Sequence, residues 1–356
     1  MTGATIDISL DGQLGLFRLN FDAALPMYGI SALFGPSGCG KTSVLRAVAG
    51  LNRIPGCIVV GGEVWQDEQT FVPTHRRALG YVFQEASLFP HLSVRRNLTY
   101  GEARAKGAPG HTQFDEIVEL LGIGHLVDRM PDNLSGGERQ RVAIGRALLA
   151  QPLSALDRMA KDEVLPYFEA LHANLKIPII LVTHDISEVE RLADHVVLMR
   201  DGRVLASGPL SAMQADPSLP LAAGRQAAVT LDAVLDQYDS DYGLATLKVS
   251  GGEFLVPMEQ AARGSHQRLT IAAGDVSLAT QAPQGSTLLN SLPARVLSAT
   301  IAGNEVIAVL GLGEDGAGSR ILSRVTRKSW ESLGFREGQL VHAQAKSVAL
   351  VRRKSR

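Results

Sequence analysis

Apolar and polar positions change period twice along this chain. Residues 5–21 alternate, with Ile6, Ile8 and Leu10 followed by Leu14, Leu16, Leu19 and Phe21, which predicts two strands joined by a turn at Asp11-Gly12. Ile30–Phe34 is a short, largely apolar run that reads as a buried strand, and Val44, Leu45, Val48 and Leu51 then recur at helical spacing. Residues 52–74 carry Pro55, Gly56, Gly61 and Gly62 and predict a second small β region; residues 79–85 predict a strand ending at Gln84. Helix is predicted over 91–130, with Ser93 as a cap before Val94 and an amphipathic stretch at 114–121, and again from Ser135 through Val142, Ile144, Ala147 and Leu148. A strand at 179–182 and a hairpin at 195–203, turning at Asp201-Gly202, follow. Gly208-Pro209 and Asp216-Pro217 mark a domain edge. Beyond about residue 229 only short strands are read, at 245–249, 253–256, 268–272, 276–279, 294–301, 305–310, 320–325, 339–344 and 347–351, which suggests a small barrel.

The strand, loop and helix over residues 30–51 carry the clearest chemistry. Gly35-Pro36-Ser37-Gly38-Cys39-Gly40-Lys41-Thr42, followed by Ser43, has the spacing G-x-x-x-x-G-K-T between a strand and a helix. Glycines let the backbone curl its N–H groups onto phosphate oxygens, and the helix start adds free N–H groups and a positive dipole end. Lys41 supplies a point charge for the outer phosphates, and Thr42 a hydroxyl for magnesium. The alternative, a glycine-rich turn that happens to hold a lysine, does not account for both flanking elements. Phe17 is a candidate to stack on a nucleotide base, although an apolar strand residue is more often core. Gln84, at a strand end near this loop, can ligate magnesium or hold an attacking water; alone it reads as a surface amide. Ser135 with Glu138 three residues on is a capping box, and Gly136 and Gly137 leave that helix start bare enough for an anion. An ordinary capped helix fits those residues equally well.

Composition removes several classes. The 356 residues allow two or three domains, and a net charge of −1 leaves no basic footprint for nucleic acid. No apolar run reaches the roughly 18 residues of a membrane span, and the first residues do not have the pattern of a secretory signal. Two cysteines, Cys39 and Cys57, make no disulfide framework and suggest a reduced compartment.

Taken in order, the phosphate loop, Tyr81-Val82-Phe83-Gln84, Leu134-Ser135-Gly136-Gly137-Glu138, Ser154-Ala155-Leu156-Asp157 and Val182-Thr183-His184-Asp185 resemble the ATP-binding subunit of an ABC importer over residues 5–215. The resemblance implies a homodimer that sandwiches two ATP molecules with Mg2+. Residues 35–43 of one subunit would face Ser135, Gly136 and Gly137 of the other. Gln84 would sense magnesium and the membrane partner, His184 would contact the γ-phosphate, and Asp157, in a loop, would link the two sites. It further implies integral-membrane permease partners met near residues 84–98, an indirect link to a periplasmic or extracellular solute-binding protein, and a peripheral position on the cytoplasmic face of the inner membrane.

One family part is missing. The pattern places an apolar strand ending in Asp-Glu, the Walker B strand, between the signature helix and Ser-Ala-Leu-Asp; the Asp supports magnesium and the Glu polarises water. Here Ala150-Gln151-Pro152 runs straight into Leu153, so the strand is deleted from the pattern. Either a neighbouring segment fills the slot or the sheet has a gap. Asp162-Glu163 reads as solvated helix surface and does not replace the pair. The deletion raises the alternative of a hydrolysis-deficient regulatory or oxyanion-binding relative.

The expected fold is an α/β P-loop NTPase (ABC ATPase) domain with a helical subdomain over 1–228, then a small all-β, OB-like barrel over 229–356 with its core at 286–351. Residues 285–296, 325–329 and 345–350 resemble the oxyanion-binding barrel of molybdate importer ATPases. That resemblance offers Ser286, Asn290, Lys346 and Ser347 as ligands for molybdate or tungstate, with Leu289 where the family often carries arginine. A structural barrel that binds no anion remains the alternative.

Overall fold

Ile179–Thr183 is buried at every position, as a strand covered on both faces must be, and the first half of the chain is layered around it. The structure, a computed structural model, describes residues 5–83, 87–100, 111–150, 153–157, 178–224 and 227–351. In chain order the first unit contains β1 (Thr5–Leu14), β2 (Phe17–Pro26), β3 (Ile30–Phe34), α1 (Lys41–Val48), β4 (Gly56–Val60), β5 (Glu63–Gln66), β6 (Leu79–Val82), α2 (Val94–Leu98), α3 (His111–Leu120), α4 (Gly136–Ala150), β7 (Leu153–Asp157), β8 (Ile179–Thr183), α5 (Ile186–Leu192), β9 (His195–Arg200) and β10 (Arg203–Pro209). They form one sheet of order β5-β4-β1-β2-β10-β9-β3-β8-β7-β6. The β1, β2, β4 and β5 part is antiparallel, and β9, β3, β8, β7 and β6 run parallel.

The period-two rule divides β8 between two cores. Ile180 and Val182 join Val44, Leu45 and Val48 of α1, whereas Ile179 and Leu181 join the helical cluster of Val94, Leu98, Ile117, Val142 and Ile144. On the helical side α4 comes so close to β6 that a Cβ on Gly80 would stand 2.3 Å from the Ala147 carbonyl oxygen.

Two expectations about turns and loops need correction. The β1–β2 turn is at Gly15-Leu16, where Gly15 takes the left-handed φ of 64°, and Asp11-Gly12 lies inside β1 paired with Asn20 and Leu19. Residues 153–157, expected as a loop, form β7. It pairs in parallel with β6 (Val82↔Leu156) and with β8 (Asp157↔Val182), so a neighbouring segment fills the slot. The Asp201-Gly202 turn stands as read, with φ of 48° and 78° at its two residues.

The second unit begins at Pro209, earlier than residue 229. The short helices α6 (Leu210–Gln214) and α7 (Pro220–Ala223) belong to it, and the buried Gln214 side-chain oxygen accepts from Thr230 N at 2.8 Å. The strand holding Thr230, β11 (Ala228–Asp239), was not among the expected elements. With β12 (Leu244–Val249), β13 (Gly252–Pro257), β14 (His266–Ala272) and β20 (Ala349–Leu350) it makes a five-stranded sheet. A second five-stranded sheet contains β15 (Val276–Ala279), β16 (Asn290–Ala302), β17 (Glu305–Leu312), β18 (Arg320–Thr326) and β19 (Leu340–Ala345), with α8 (Arg327–Ser332) after β18. The two sheets share one apolar core that includes Leu231, Leu247, Phe254, Leu269, Val296, Leu310 and Val341.

Candidate nucleotide site

The parallel strands β3 and β8 end side by side, with Phe34 in register with Thr183. The loop 35–40 leaves one, and His184 leaves the other, at the carboxyl edge of the sheet where open α/β folds gather ligands. Glycine is obligatory at 35, since a Cβ there would meet the Met199 carbonyl oxygen at 2.1 Å. Gly40 caps α1 in the left-handed region at φ 99° and turns the loop into the helix. Lys41 is buried, and its Nζ donates to the carbonyls of Gly35 and Pro36 at 2.7 Å each, with Cys39 Sγ at 3.6 Å. The ammonium thus holds the loop curled around itself.

A cavity of about 290 Å³ opens at this loop, lined by Leu14, Phe17, Gly38, Gly40, Lys41, Thr42, Ser43 and Val182. Phe17 stands over Gly40, where a Cβ would lie 3.1 Å from its ring, so the structure brings the stacking candidate to the phosphate loop. A helix start, a lysine and two hydroxyl side chains around one cavity suit a polyphosphate. Among the described residues no three His, Cys, Asp or Glu side chains gather as a metal cage. A divalent ion here would rely on few protein ligands plus phosphate oxygens, as Mg2+ usually does.

Sequence reading missed what fixes the far end of α1. Arg77 is 2 % exposed; its Nη1 donates to the carbonyls of Ala47 and Val48 at 2.7 Å each, its Nε to Val72 at 2.8 Å, and its Nη2 to Trp65 at 3.4 Å. Burial pushes its pKa down to about 10, so it stays charged at neutral pH and complements the helix C-terminus. A lone arginine after a turn carries no local signal of such a role.

The signature segment folds as its capping box predicts. Ser135 N donates to Glu138 Oε2 at 2.7 Å, and Glu138 N donates to Ser135 Oγ at 3.3 Å. The backbone and hydroxyl of Ser135 hold the Glu138 carboxyl below its usual range. Ser135 and Gly136 are exposed, and nothing lies within 4 Å of a Cβ placed on Gly136, so the helix tip is open; Gly137 is buried. His184 is exposed at the end of β8. Asp185 next to it caps α5 through Ser187 N at 2.8 Å, and the Thr183 hydroxyl donates to the Glu188 carboxylate. Burial, with Asp185 nearby, raises the pKa of Glu190. Gln84 and Asp162-Glu163 lie outside the described residues.

In the second unit, Asn290 at the start of β16 pairs with Ala345 at the end of β19, which brings Lys346 and Ser347 beside it. The Asn290 amide is engaged with the β13 backbone: Oδ1 accepts from Leu255 N at 2.7 Å and Nδ2 donates to Leu255 O at 3.0 Å. It pins one sheet to the other. Ser286 Oγ accepts from Leu288 N at 3.0 Å, and Lys346 and Ser347 are exposed.

Residues 19–157 match the ABC transporter family model, and residues 286–351 match the TOBE domain model. The chain is 57% identical over 352 residues to the molybdenum import ATP-binding protein ModC of Rhodopseudomonas palustris strain HaA2, covering 95% of this chain and 93% of that protein. Identity is 55% to the protein of the same name in strain ATCC BAA-98 / CGA009 of that organism, covering 98% and 97%. It is 52% to the one in Rhodobacter capsulatus, covering 97% and 98%. The solved structure of cbiO1 from Clostridium perfringens, described as part of the ABC transporter complex cbiONQ, matches 58% of this chain and 89% of its own at a TM-score of 0.50 and 24% identity, which shows the ATPase fold.

Proposed function

The chain belongs to the family of molybdenum import ATP-binding proteins of ABC transporters, and from that premise we propose that it is the ATP-binding subunit that energises a molybdate importer. The observation that carries the reading is the near full-length identity to these relatives, together with a phosphate loop and an open signature tip in one unit. N–H groups of the loop and of the first turn of α1 bind and orient the phosphates. Lys41 Nζ leaves the carbonyls of Gly35 and Pro36 for phosphate oxygens, which releases the self-curled loop. Phe17 presents a ring face beside the cavity for the base. The Thr42 hydroxyl and Gln84 are the residues to hold Mg2+, which when bound neutralises charge on the outer phosphates.

Hydrolysis takes place at a homodimer interface, where Ser135, Gly136 and Gly137 of one copy cover the nucleotide held by the other and His184 reaches its γ-phosphate. Closure and reopening pass through residues 84–98 to permease subunits, which places the protein peripherally on the cytoplasmic side of the membrane. Among the described residues no helix is long and apolar enough to cross a membrane, in keeping with separate permease chains. Exposed Lys346 and Ser347, with Ser286, are the groups through which the barrel would take molybdate or tungstate, beside the Asn290 pin.

The test is reconstitution with the permease subunits in vesicles. ATP inside the vesicle-facing compartment of this subunit should drive molybdate uptake that Lys41→Ala abolishes. Uptake that persists with Lys41→Ala, or never depends on this subunit, overturns the proposal.

A further inference from the structure

We propose that Glu188 is a positioning residue for His184, acting through the Thr183 hydroxyl in the turn that leaves β8. The proposal rests on the reading above, in which His184 contacts the γ-phosphate. His184 is exposed, and among the described residues its imidazole has no hydrogen-bond partner. Its place is therefore set by the backbone on either side of it. Before it, the buried Thr183 stands in register with Phe34, the residue that precedes the phosphate loop. After it, Asp185 is the N-cap of α5, which buries Val189 and Leu192 and packs against β3 and β8. One exposed residue thus spans two anchored elements.

The hydrogen bonds around this turn form a relay. Asp185 and Glu188 have capping-box spacing, in which the glutamate ordinarily takes the N–H of the cap residue itself. Here Thr183 is interposed: its Oγ1 accepts from Asp185 N at 3.0 Å and donates to the Glu188 carboxylate. The Asp185 carboxylate is used on the helix start, where Oδ1 accepts from Ser187 N at 2.8 Å and from Ser187 Oγ at 2.7 Å. A hydroxyl has one proton and two lone pairs. With the proton drawn to a carboxylate in a charge-assisted bond, a lone pair is held toward Asp185 N. That N–H belongs to the planar peptide that contains the His184 carbonyl, so holding it fixes ψ at His184 and the direction in which the imidazole leaves the backbone. Capping alone accounts for an aspartate at the start of α5. It does not account for a glutamate joined to a buried strand hydroxyl in place of the cap N–H. A transition-state contact misplaced by about 1 Å costs up to about a hundredfold in rate, which gives this relay its consequence for catalysis.

The experiment measures kcat for ATP hydrolysis and Kd for ATP on the purified full chain. Glu188→Ala and Thr183→Val should each lower kcat about tenfold to a hundredfold and leave Kd unchanged. Glu188→Gln and Thr183→Ser, which keep an acceptor and a hydroxyl, should recover most of the lost rate. In a His184→Ala background Glu188→Ala should lower kcat no further, because the side chain it positions is gone. A merely structural role in α5 would persist in that background. A second full drop there, or wild-type kcat in Glu188→Ala, overturns the proposal. Should Glu188→Ala not fold, Thr183→Val against Thr183→Ser carries the same cycle, and equal kcat in those two overturns it. A His184→Ala chain as active as wild type, or a wild-type chain that hydrolyses no ATP, overturns instead the reading beneath it.

Discussion

Arg77→Met is the substitution that tests most directly how the phosphate-loop helix is held. Ala47 and Val48 lie in the last turn of α1, where carbonyls lack the helical donor four residues on; that of Ala47 also accepts from Gly50 N at 2.9 Å. Arg77 satisfies both, together with carbonyls of Val72 and Trp65, and its guanidinium lies 5.1 Å from the Phe71 ring centroid and 5.7 Å from that of Trp65. Methionine keeps the apolar bulk but donates nothing. The Ala47 and Trp65 carbonyls keep the backbone donors Gly50 N and Val72 N, so the loss falls on the carbonyls of Val48 and Val72, at about 1–3 kcal/mol each, or about 2–6 kcal/mol together. Removing a charge whose burial has already lowered its pKa to about 10 returns part of that, so a net loss of about 2–4 kcal/mol is expected. The assay is urea unfolding followed by Trp65 fluorescence in a Trp330→Phe background, which isolates the first unit. The midpoint should fall at unchanged slope. Arg77→Lys should recover less than half of the loss, because one ammonium cannot reach all four carbonyls. A midpoint equal to wild type in Arg77→Met, or full recovery with lysine, refutes the reasoning.

Four further outcomes follow from particular contacts. Gly80→Ala puts a Cβ against the Ala147 carbonyl and should destabilise the first unit by about 1–3 kcal/mol in the same unfolding assay. Ser135→Ala removes the hydroxyl half of the capping box and should cost about 0.5–2 kcal/mol, read as a lower thermal midpoint. The folded state depresses the Glu138 pKa, so the stability this carboxylate adds is fully present above its unfolded value and is lost as pH falls through the lower folded one. The gap in thermal midpoint between wild type and Glu138→Gln should therefore be widest near neutral pH and close on acidification. Asn290→Ala frees Leu255 from both hydrogen bonds and should cost about 1–3 kcal/mol, seen in the unfolding of the second unit by Trp330 fluorescence.

What the sequence disclosed was local. Gly35–Thr42, the Ser135–Glu138 box and the Asp201-Gly202 turn each encode their own geometry, because the needed φ angles and caps depend on residues a few positions apart. The first hairpin shows the limit. Asp11-Gly12 is as good a turn signal as Gly15-Leu16, but β1 must also pair with β4 through Ile8↔Ile58, and that partnership carries β1 past Gly12. Arg77 was silent because its four acceptors come from α1, β5 and the chain after it. β11 was missed because Ala, Asp and Gln dilute its alternation, although Leu231, Ala233 and Leu235 point to the core. β7 illustrates the same point from the other side: its residues read as a loop, and only the unpaired edges of β6 and β8 make them a strand.

The claim on which the rest depends is that one copy grips ATP in the loop and a second copy closes it with the signature tip. Sedimentation of the purified chain, with and without MgATP, measures this directly. The purified chain should be a monomer that becomes a dimer when MgATP is added and stays monomeric when Lys41→Ala or a bulky Gly136→Trp tip is substituted. A wild-type chain that binds MgATP yet sediments unchanged would contradict it.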